Sequence, residues 1–381
     1  MNSDELINLG NEYRSIDNYE KALECYASVF VKDRNNAAAW SNYGNVLREM
    51  GEPNKAIPFL QHATEIEPNF VTAQFNLSIA QLLKGDYQLG FKQYEWRWQF
   101  EHLAGTKPQI DKPEWQGQDL KGKTILVISE QGFGDVIQFS RFIVPLVQLG
   151  AQIILLTMPG LVPLFQPSSI IKLCTSGEGI GNFDYWCPIM SLPYHLQLSK
   201  TDIKHELCYI LAQDENIAEW AKKLGTKEKI RIGVCWSGRK DNWVNRYKSF
   251  PLEKLVNLAN QYTEYEWINL QVECTDIEQK IIEESNIKVF PNSIQHWGNT
   301  AGMVHHLDLI ISADTSIAHL ASAMGKPTWI PLTKFAVDWR WGVESDNTVW
   351  YPSAKLFRQP NFGDWDSVFD KIEKFLPLFK I

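Results

Sequence analysis

Apolar positions recur at helical spacing through the first hundred residues, and the whole pattern repeats. Aligned on glycine, LINLGNEYRSIDNYEKALECYASVF matches WSNYGNVLREMGEPNKAIPFLQHATEIEP, with Gly10 opposite Gly44 and Ala22 opposite Ala56. A third and weaker copy follows at the same offset of 34 residues, with Ser78 at the glycine position. Small residues at fixed places let two helices approach closely, so each copy predicts a helix pair.

A period of 34 residues resembles the tetratricopeptide repeat. Stacking about three such pairs would bury a continuous core, and we assign residues 1–105 to this repeat domain. Repeats of this kind commonly present a concave surface to a peptide or a protein. The sequence leaves two roles open for them, which are binding such a partner and capping the domain that follows.

The apolar pattern changes after a segment, 101–122, that loses helical periodicity and gains Pro, Gly and Lys as a linker does. Short continuous apolar runs then alternate with amphipathic helices, which predicts parallel sheets with helices on both faces. Residues 136–150, for example, predict one helix that ends at Gly150. The runs of strand length are KTILVIS, AQIILLT, DYWCPI, IRIGVCW, EWINLQ, IKVF, LDLIISA and TWIPL.

A polar stretch at 221–229 divides this region into two halves of similar size. We therefore predict two Rossmann-like domains that face each other, at 106–225 and at 226–381, the second ending in a helix. The predicted fold class is helical repeats followed by this α/β pair. Ligands of open parallel sheets bind beyond the carboxyl ends of the strands, so the cleft between the two domains is the expected site.

Composition and charge narrow the possible functions. The 381 residues carry a net charge of −8, which argues against nucleic acid as a partner. The six cysteines are far apart, with no C-x-x-C pair and no metal-ligand spacing, as in reduced thiols of a cytoplasmic protein. The acidic start MNSDELINLG has no apolar core, and no stretch approaches 18 apolar residues. We therefore expect a cytoplasmic protein without a membrane span.

A glycine turn follows the first predicted strand, in LVISEQGFGDVIQF. A dinucleotide site needs G-x-G-x-x-G, but the third glycine position is Ile137, so this function is excluded. The turn, formed by Gly132 and Gly134, brings Asp135 to the start of a helix on the acceptor side of the cleft. Two roles remain open for Asp135, an N-cap and a general base that takes a proton from an acceptor hydroxyl.

The strand LDLIISA in the second half leads into the helix SIAHLASAMG, with Asp314 at the junction. The free N–H groups at the start of this helix predict an anion site without a glycine-rich loop. Thr315 and Ser316 add hydroxyl donors, and His319 lies one turn into the helix. Simple helix capping is the alternative interpretation of the same residues.

The loop CWSGRKDNWVNRYKSFP also faces the cleft, and its hydroxyl and cationic groups suit a departing diphosphate. A solvated basic loop is the alternative. Gln271 ends the next strand, where it could contact a ribose or a base. The pair Asp364 and Asp366 has a spacing that some sugar transferases use for a metal, but we discount it because it lies in the C-terminal tail. The polar loop residues are Ser237, Arg239, Lys240, Arg246 and Lys248.

Taken together, the glycine turn with its GD pair, the W-S-G-R and K-S-F-P elements and the block DTSIAHLASAMGKP resemble glycosyltransferase family 9, the heptosyltransferase-like enzymes. DWRWG at 338–342 and the preceding repeats are similar to a bacterial subgroup of that family. The resemblance implies a GT-B fold, a nucleotide-diphosphate sugar donor, no metal or other cofactor, and Asp135 as base. The donor-binding residues expected from the motifs and the resemblance are Ser237, Arg239, Lys248, Gln271, Asp314, Thr315 and Ser316.

The predicted function is transfer of a hexosyl or heptosyl group from a nucleotide-diphosphate sugar to a hydroxyl of a protein, a peptide or a glycan. Asp135 and His319 are the expected catalytic residues, His319 and Lys248 stabilising the leaving diphosphate. A protein or peptide acceptor would be bound by the repeats. The alternative is a non-catalytic scaffold or binding module in which a degenerate GT-B domain no longer turns over.

Overall fold

The computed structural model describes residues 1–165, 170–203, 208–239, 245–291 and 293–380. These residues form two compact units. The first contains Met1–Ile110 together with Leu196–Ile203 and Lys334–Ser345, and the second contains the remaining described residues.

The first unit begins with three helix pairs, as the 34-residue period predicts. Glycine makes the close packing within a pair possible, because a Cβ on Gly10 would lie 2.5 Å from the ring of Tyr26. The equivalent atom on Gly44 would lie 2.7 Å from Leu60 in the second pair. The helices are α1 Ser3–Ser15, α2 Tyr19–Lys32, α3 Ala37–Glu49, α4 Pro53–Ile66, α5 Val71–Lys84 and α6 Tyr87–Tyr94.

Asparagine side chains cap the first three helices. Asn2, Asn18 and Asn36 each accept a hydrogen bond from a backbone N–H of the first turn. Asparagine is among the best N-cap residues, because its side-chain oxygen satisfies a donor that has no partner within the helix. The polar residues between the apolar stretches therefore fix where these helices begin.

Lys334–Ser345, which contains DWRWG, packs on the repeats rather than on a sheet. The ring of Phe335 contacts Tyr19 edge-on, with centroids 4.9 Å apart, and Trp339 contacts Phe91 in the same way at 5.7 Å. The domain bounds expected from the sequence place this segment within 226–381. The difference arises because an apolar pattern shows which side chains are buried, but not which part of the chain covers them.

The first sheet of the second unit has, among the described residues, four parallel strands in the order β3-β2-β1-β4. The predicted helix over 136–150 is interrupted. It consists of α7 Phe133–Phe139, a 3₁₀ turn Ser140–Phe142 and α8 Ile143–Gln148. Pro145 explains the interruption, because proline has no N–H to continue the hydrogen-bond ladder. The strands are β1 Thr124–Ile128, β2 Gln152–Leu156, β3 Ile171–Cys174 and β4 Tyr185–Pro188, and the short helix α9 Leu192–His195 follows.

The second sheet is also parallel throughout, with six strands among the described residues in the order β10-β9-β8-β5-β6-β7. The predicted α/β part of the fold class is thereby confirmed. The strands are β5 Arg231–Cys235, β6 Glu266–Asn269, β7 Ile287–Lys288, β8 Leu309–Ser312, β9 Thr328–Leu332 and β10 Ala354–Arg358. The helices are α10 Asp214–Leu224, α11 Asn245–Lys248, α12 Leu252–Gln261, α13 Asp276–Glu283, α14 Trp297–His305, α15 Ser316–Ala323 and α16 Trp365–Phe375.

Helix α10 packs on α14, a helix of the second half, although the predicted boundary had placed it in 106–225. The side-chain amide of Asn299 on α14 donates to Asn216 on α10 at 3.1 Å, and both residues are buried. The domain boundaries stay predictions.

Strand order fixes where a ligand site is expected in each sheet. The order reverses between β1 and β4 in the first sheet and between β5 and β8 in the second. Such switch points open a crevice at the carboxyl ends of the strands. Helix α7 follows β1 and helix α15 follows β8, so both helices begin at these crevices.

Candidate functional site

The starts of α7 and α15 lie against each other. A Cβ on Gly134 would sit 2.9 Å from Cδ2 of His319 and 3.3 Å from Oγ of Ser316. Side chains do not reach such distances without displacement, so the approach of the two helices requires glycine at this position. The structure thus brings together Gly134, Ser316 and His319, three of the predicted site residues.

Asp135 occupies the third position of α7 rather than its N-cap. The N-cap is Gly132, whose backbone N–H donates to Oδ2 of Asp135 at 2.9 Å. The capping interpretation therefore needs correction, because the carboxylate reaches back to the cap as the acidic residue of a capping box does. Asp135 is half-buried at the helix start, beside the glycine that touches α15.

Thr315 is the N-cap of α15. Its Oγ1 accepts from the backbone N–H of Ile317 at 3.3 Å and lies 3.1 Å from Oγ of Ser312. This hydroxyl therefore satisfies a donor within the helix, as the capping alternative expected. Ser316, the first residue of the helix, is half-buried next to Gly134.

Asp314 and Lys248 form an ion pair. The Nζ–Oδ2 distance is 2.7 Å, and the side chains are 5% and 23% exposed for Asp314 and Lys248. The sequence predicted both residues as separate donor contacts. The ammonium of Lys248 offsets the charge of the buried Asp314 carboxylate. Without this partner the carboxylate, just before the start of α15, would repel an anion there.

Gln271 holds the end of β5 in place. Its Oε1 accepts from the backbone N–H of Ser237 at 3.1 Å, and its Nε2 donates to the carbonyl of Glu273 at 3.2 Å. The thiol of Cys235 also contacts Oε1 at 3.2 Å, and burial raises the pKa of that thiol to about 11. Both ends of the Gln271 amide are thus bound by the protein, and its contact with a ribose or base stays a prediction.

The basic loop after Ser237 is only partly described, and Lys240 lies outside the described residues. Arg239 is exposed. Arg246 donates to the hydroxyl of Tyr247 and covers its ring, with the guanidinium carbon 4.5 Å from the ring centroid. Asn245, which the sequence did not single out, accepts from the backbone N–H of Gly238 at 2.7 Å and so joins the loop to α11.

His319 is buried, and its Nδ1 lies 2.8 Å from Oη of Tyr351. Arg141, also buried, donates to the carbonyl of Trp350 at 2.7 Å and to the hydroxyl of Tyr209 at 3.0 Å. Burial on its own lowers the pKa of Arg141, but interactions with Tyr209 and Tyr351 raise it above its usual value. Sequence reasoning missed Arg141 and Tyr351, although an arginine inside the apolar run VIQFSRFIVPLV was a signal of a buried cation.

The described residues contain no cluster of three or more His, Cys, Asp or Glu side chains that could hold a metal ion. Asp364 caps α16 by accepting from the backbone N–H of Ser367 at 3.0 Å. Asp366 forms an ion pair with Lys254. The D-x-D pair is therefore engaged in local structure, and the metal-independence of the chemistry stays a prediction.

The two parts of the chain are similar to different known proteins, and for the sheets the similarity is one of fold. Residues 6–69 match the tetratricopeptide repeat family. The fold is similar to that of the family 9 glycosyl transferase from Veillonella parvula, at a TM-score of 0.51 and 14% identity, over 69% of this chain and 98% of that one. The predicted fold class is confirmed by these matches.

Two further proteins are similar to this chain. The Escherichia coli ADP-heptose heptosyltransferase II is similar at a TM-score of 0.50 and 13% identity, over 67% of this chain and 99% of that one. Protein FlbA of Caulobacter vibrioides is 23% identical over 431 aligned positions, which cover 96% of this chain and 71% of FlbA. FlbA therefore matches the repeats and the sheets together. No helix among the described residues is long and apolar enough to cross a membrane.

Proposed function

We propose that this chain is a glycosyltransferase that moves a sugar from a nucleotide-diphosphate sugar to an acceptor hydroxyl without a metal. The observation that carries the proposal is the contact between the starts of α7 and α15 through Gly134. It brings a carboxylate for the acceptor and a helix N-terminus for the leaving group to the same crevice of two parallel sheets. The fold similarity to family 9 transferases supports the same function.

The leaving diphosphate would bind at the start of α15. Unpaired N–H groups and the helix dipole favour an anion there, and His319 and Ser316 add side-chain donors. Lys248 supplies positive charge close by, and its pairing with buried Asp314 keeps that carboxylate from opposing the phosphates. The electrostatics of this crevice therefore suit a departing anion without a divalent ion.

The acceptor would bind on the α7 side. As its oxygen attacks the anomeric carbon, its proton passes to the carboxylate of Asp135 and the bond from that carbon to the diphosphate breaks. The diphosphate leaves with the bonding electron pair. The backbone N–H of Gly132 orients the Asp135 carboxylate for this role through its hydrogen bond of 2.9 Å.

A protein, a peptide or a glycan hydroxyl fits the chemistry equally well. The repeats hold a segment of their own chain, Lys334–Ser345, which supports an intramolecular role for part of their surface. We propose that the rest of that surface recruits a protein or peptide acceptor.

Calorimetric titration with ADP, GDP, UDP and CDP in turn tests the donor site. At least one nucleoside diphosphate should bind the wild-type protein, and Gly134→Ala should weaken it about tenfold, because the added methyl group separates α7 from α15. Gly177→Ala is the matched control, since nothing lies within 4 Å of a Cβ there. Absence of binding by all four nucleotides, or equal loss in both variants, would remove the proposed donor site.

A non-catalytic binding module is the second candidate. The observation in its favour is that Gln271 and Lys248 are both engaged by the protein itself. A scaffold of this kind would bind no nucleotide sugar and release no nucleoside diphosphate. Incubation with the sugar nucleotides of any base that binds, followed by assay of the released diphosphate, separates the two candidates.

A further inference from the structure

We propose that Tyr351 and Arg141 are positioning residues which fix the proton of His319 on Nε2. The consequence for catalysis rests on the function proposed above, because it is the leaving diphosphate that His319 would meet. The tautomer itself follows from contacts within the second unit and does not depend on any substrate.

A buried hydrogen bond joins His319 to Tyr351. Nδ1 and Oη are 2.8 Å apart, and the two side chains are 6% and 1% exposed. A buried pair of this kind has no water to exchange with, so one partner must donate and the other accept. Two arrangements are possible, and each places the histidine proton on a different nitrogen.

Arg141 decides between the two arrangements. Its guanidinium carbon lies 4.8 Å from the ring centroid of Tyr351, so a fixed positive charge lies beside the phenol. A nearby positive charge makes a phenol a stronger hydrogen-bond donor, because it favours the form that has given up its proton. The Tyr351 proton is therefore directed at His319. Nδ1 then accepts, and Nε2 carries the proton.

The guanidinium is itself fixed in place. Its N–H groups donate to the carbonyls of Gln138 and Trp350 at 3.1 and 2.7 Å and to the Tyr209 hydroxyl at 3.0 Å. Within the described part of the chain, no carboxylate lies within 4.0 Å of it to form an ion pair. Arg141 thus connects the 3₁₀ turn after α7 to the segment before β10 that contains Trp350 and Tyr351. This contact keeps Tyr351 close to His319.

A proton on Nε2 of His319 would act as a hydrogen-bond donor at the proposed donor site. Cδ2, the ring atom bonded to Nε2, faces Gly134 at the contact between α7 and α15. With its proton on Nε2, the ring presents a donor on that side, where the leaving diphosphate would need one. The other tautomer would present a lone pair and repel the phosphate oxygens.

Nitrogen NMR of the histidine rings measures the tautomer in the free protein. Two-bond and three-bond ¹H–¹⁵N correlations distinguish a protonated ring nitrogen from an unprotonated one, and His319→Gln identifies the signal among the eight histidines. We expect Nε2 protonated and Nδ1 unprotonated in the wild type. In Tyr351→Phe the ring should lose this preference. Tyr262→Phe, which removes a hydroxyl that bonds to Glu373 at 3.4 Å, should leave the His319 signal unchanged.

Outcomes for the tautomer and for the function are separable. A wild-type spectrum with the proton on Nδ1 overturns the proposal even if the protein transfers sugar, and so does an unchanged His319 signal in Tyr351→Phe. The wild-type measurement decides even if that variant folds poorly. Where a nucleoside diphosphate binds, its Kd should rise about tenfold in Tyr351→Phe and stay the same in Tyr262→Phe. If no nucleotide binds, the proposed function fails while the spectrum still reports the tautomer.

Discussion

Two aspartates lie near a junction between a parallel strand and a helix, and the structure gives them different contacts. Asp135 is half-buried at the third position of α7, with one carboxylate oxygen held by the backbone N–H of Gly132. Asp314 is buried before α15, and its carboxylate is paired with the ammonium of Lys248 at 2.7 Å. The two carboxylates therefore differ in their position relative to the helix start and in the partner that each contacts.

In the proposed function the two carboxylates would have different roles. A charged carboxylate near the start of α15 would oppose a phosphate, so its charge has to be offset by a cation. The hydrogen bond from the backbone N–H of Gly132 orients the Asp135 carboxylate, which in the proposed function takes a proton from the acceptor. We therefore expect substitution of Asp135 to affect chemistry, and substitution around Asp314 to affect stability and donor binding.

The largest expected effect is on turnover in Asp135→Asn. The amide oxygen of asparagine can still accept from Gly132, so helix start and donor affinity should be kept while the proton acceptor is lost. Release of nucleoside diphosphate in the presence of acceptor should fall by roughly 10²–10⁴. Asp276→Asn, in the first turn of α13, is the matched control and should be silent. Full activity in Asp135→Asn with an unchanged Tm would remove the general-base assignment.

Lys248→Ala tests how much the ion pair between Lys248 and Asp314 contributes to stability. Because it leaves the Asp314 carboxylate buried and unpaired, the free energy of unfolding should fall by about 3 kcal/mol in denaturant titrations. The ion pair between Lys248 and Asp314 is the reason for this expectation. Lys254→Ala, which removes the partner of the 79% exposed Asp366, should cost under about 1 kcal/mol. Equal losses in the two variants would contradict the role of the buried pair.

Donor affinity should change by a smaller amount in His319→Ala. Loss of one hydrogen bond to a charged group is expected to weaken nucleoside diphosphate binding by roughly 1–3 kcal/mol, measured by calorimetry. In Asp135→Asn the same titration should give the wild-type Kd. Unaltered affinity in His319→Ala would shift the donor site away from the start of α15.

Chelation should have no effect. If the helix start and Lys248 neutralise the leaving group, turnover measured after dialysis against EDTA should equal turnover before it. An activity that EDTA abolished and manganese restored would show that an ion performs this role. Such a result would return attention to Asp364 and Asp366.

Much of the fold could be predicted because it depends on the spacing of glycine and apolar residues that are close together in the sequence. The glycines at positions 10 and 44 mark the closest approach in two helix pairs, and the continuous apolar runs correspond to strands buried on both faces. The strands missing from the prediction were β3 and β10, both at the edge of a sheet. In β3 only one residue is buried, so its apolar run is weak.

The site was less predictable because its contacts join distant parts of the chain. The pattern D-T-S-x-x-H located the start of α15, but it does not indicate which basic side chain pairs with Asp314. Tyr351 lies 32 residues beyond His319, and Arg141 lies in the 3₁₀ turn that follows α7, beside the first sheet. Neither side chain belongs to a motif, since both act through packing that only the folded chain creates.

The decisive measurement is a crystal structure with the nucleoside diphosphate that the titration identifies. Phosphate oxygens should lie within hydrogen-bond distance of backbone N–H groups in the first turn of α15 and of Nε2 of His319, with Asp135 facing the neighbouring space on the α7 side. Phosphates bound elsewhere on the protein, or bound through a metal ion held by side-chain carboxylates, would contradict the proposed donor site.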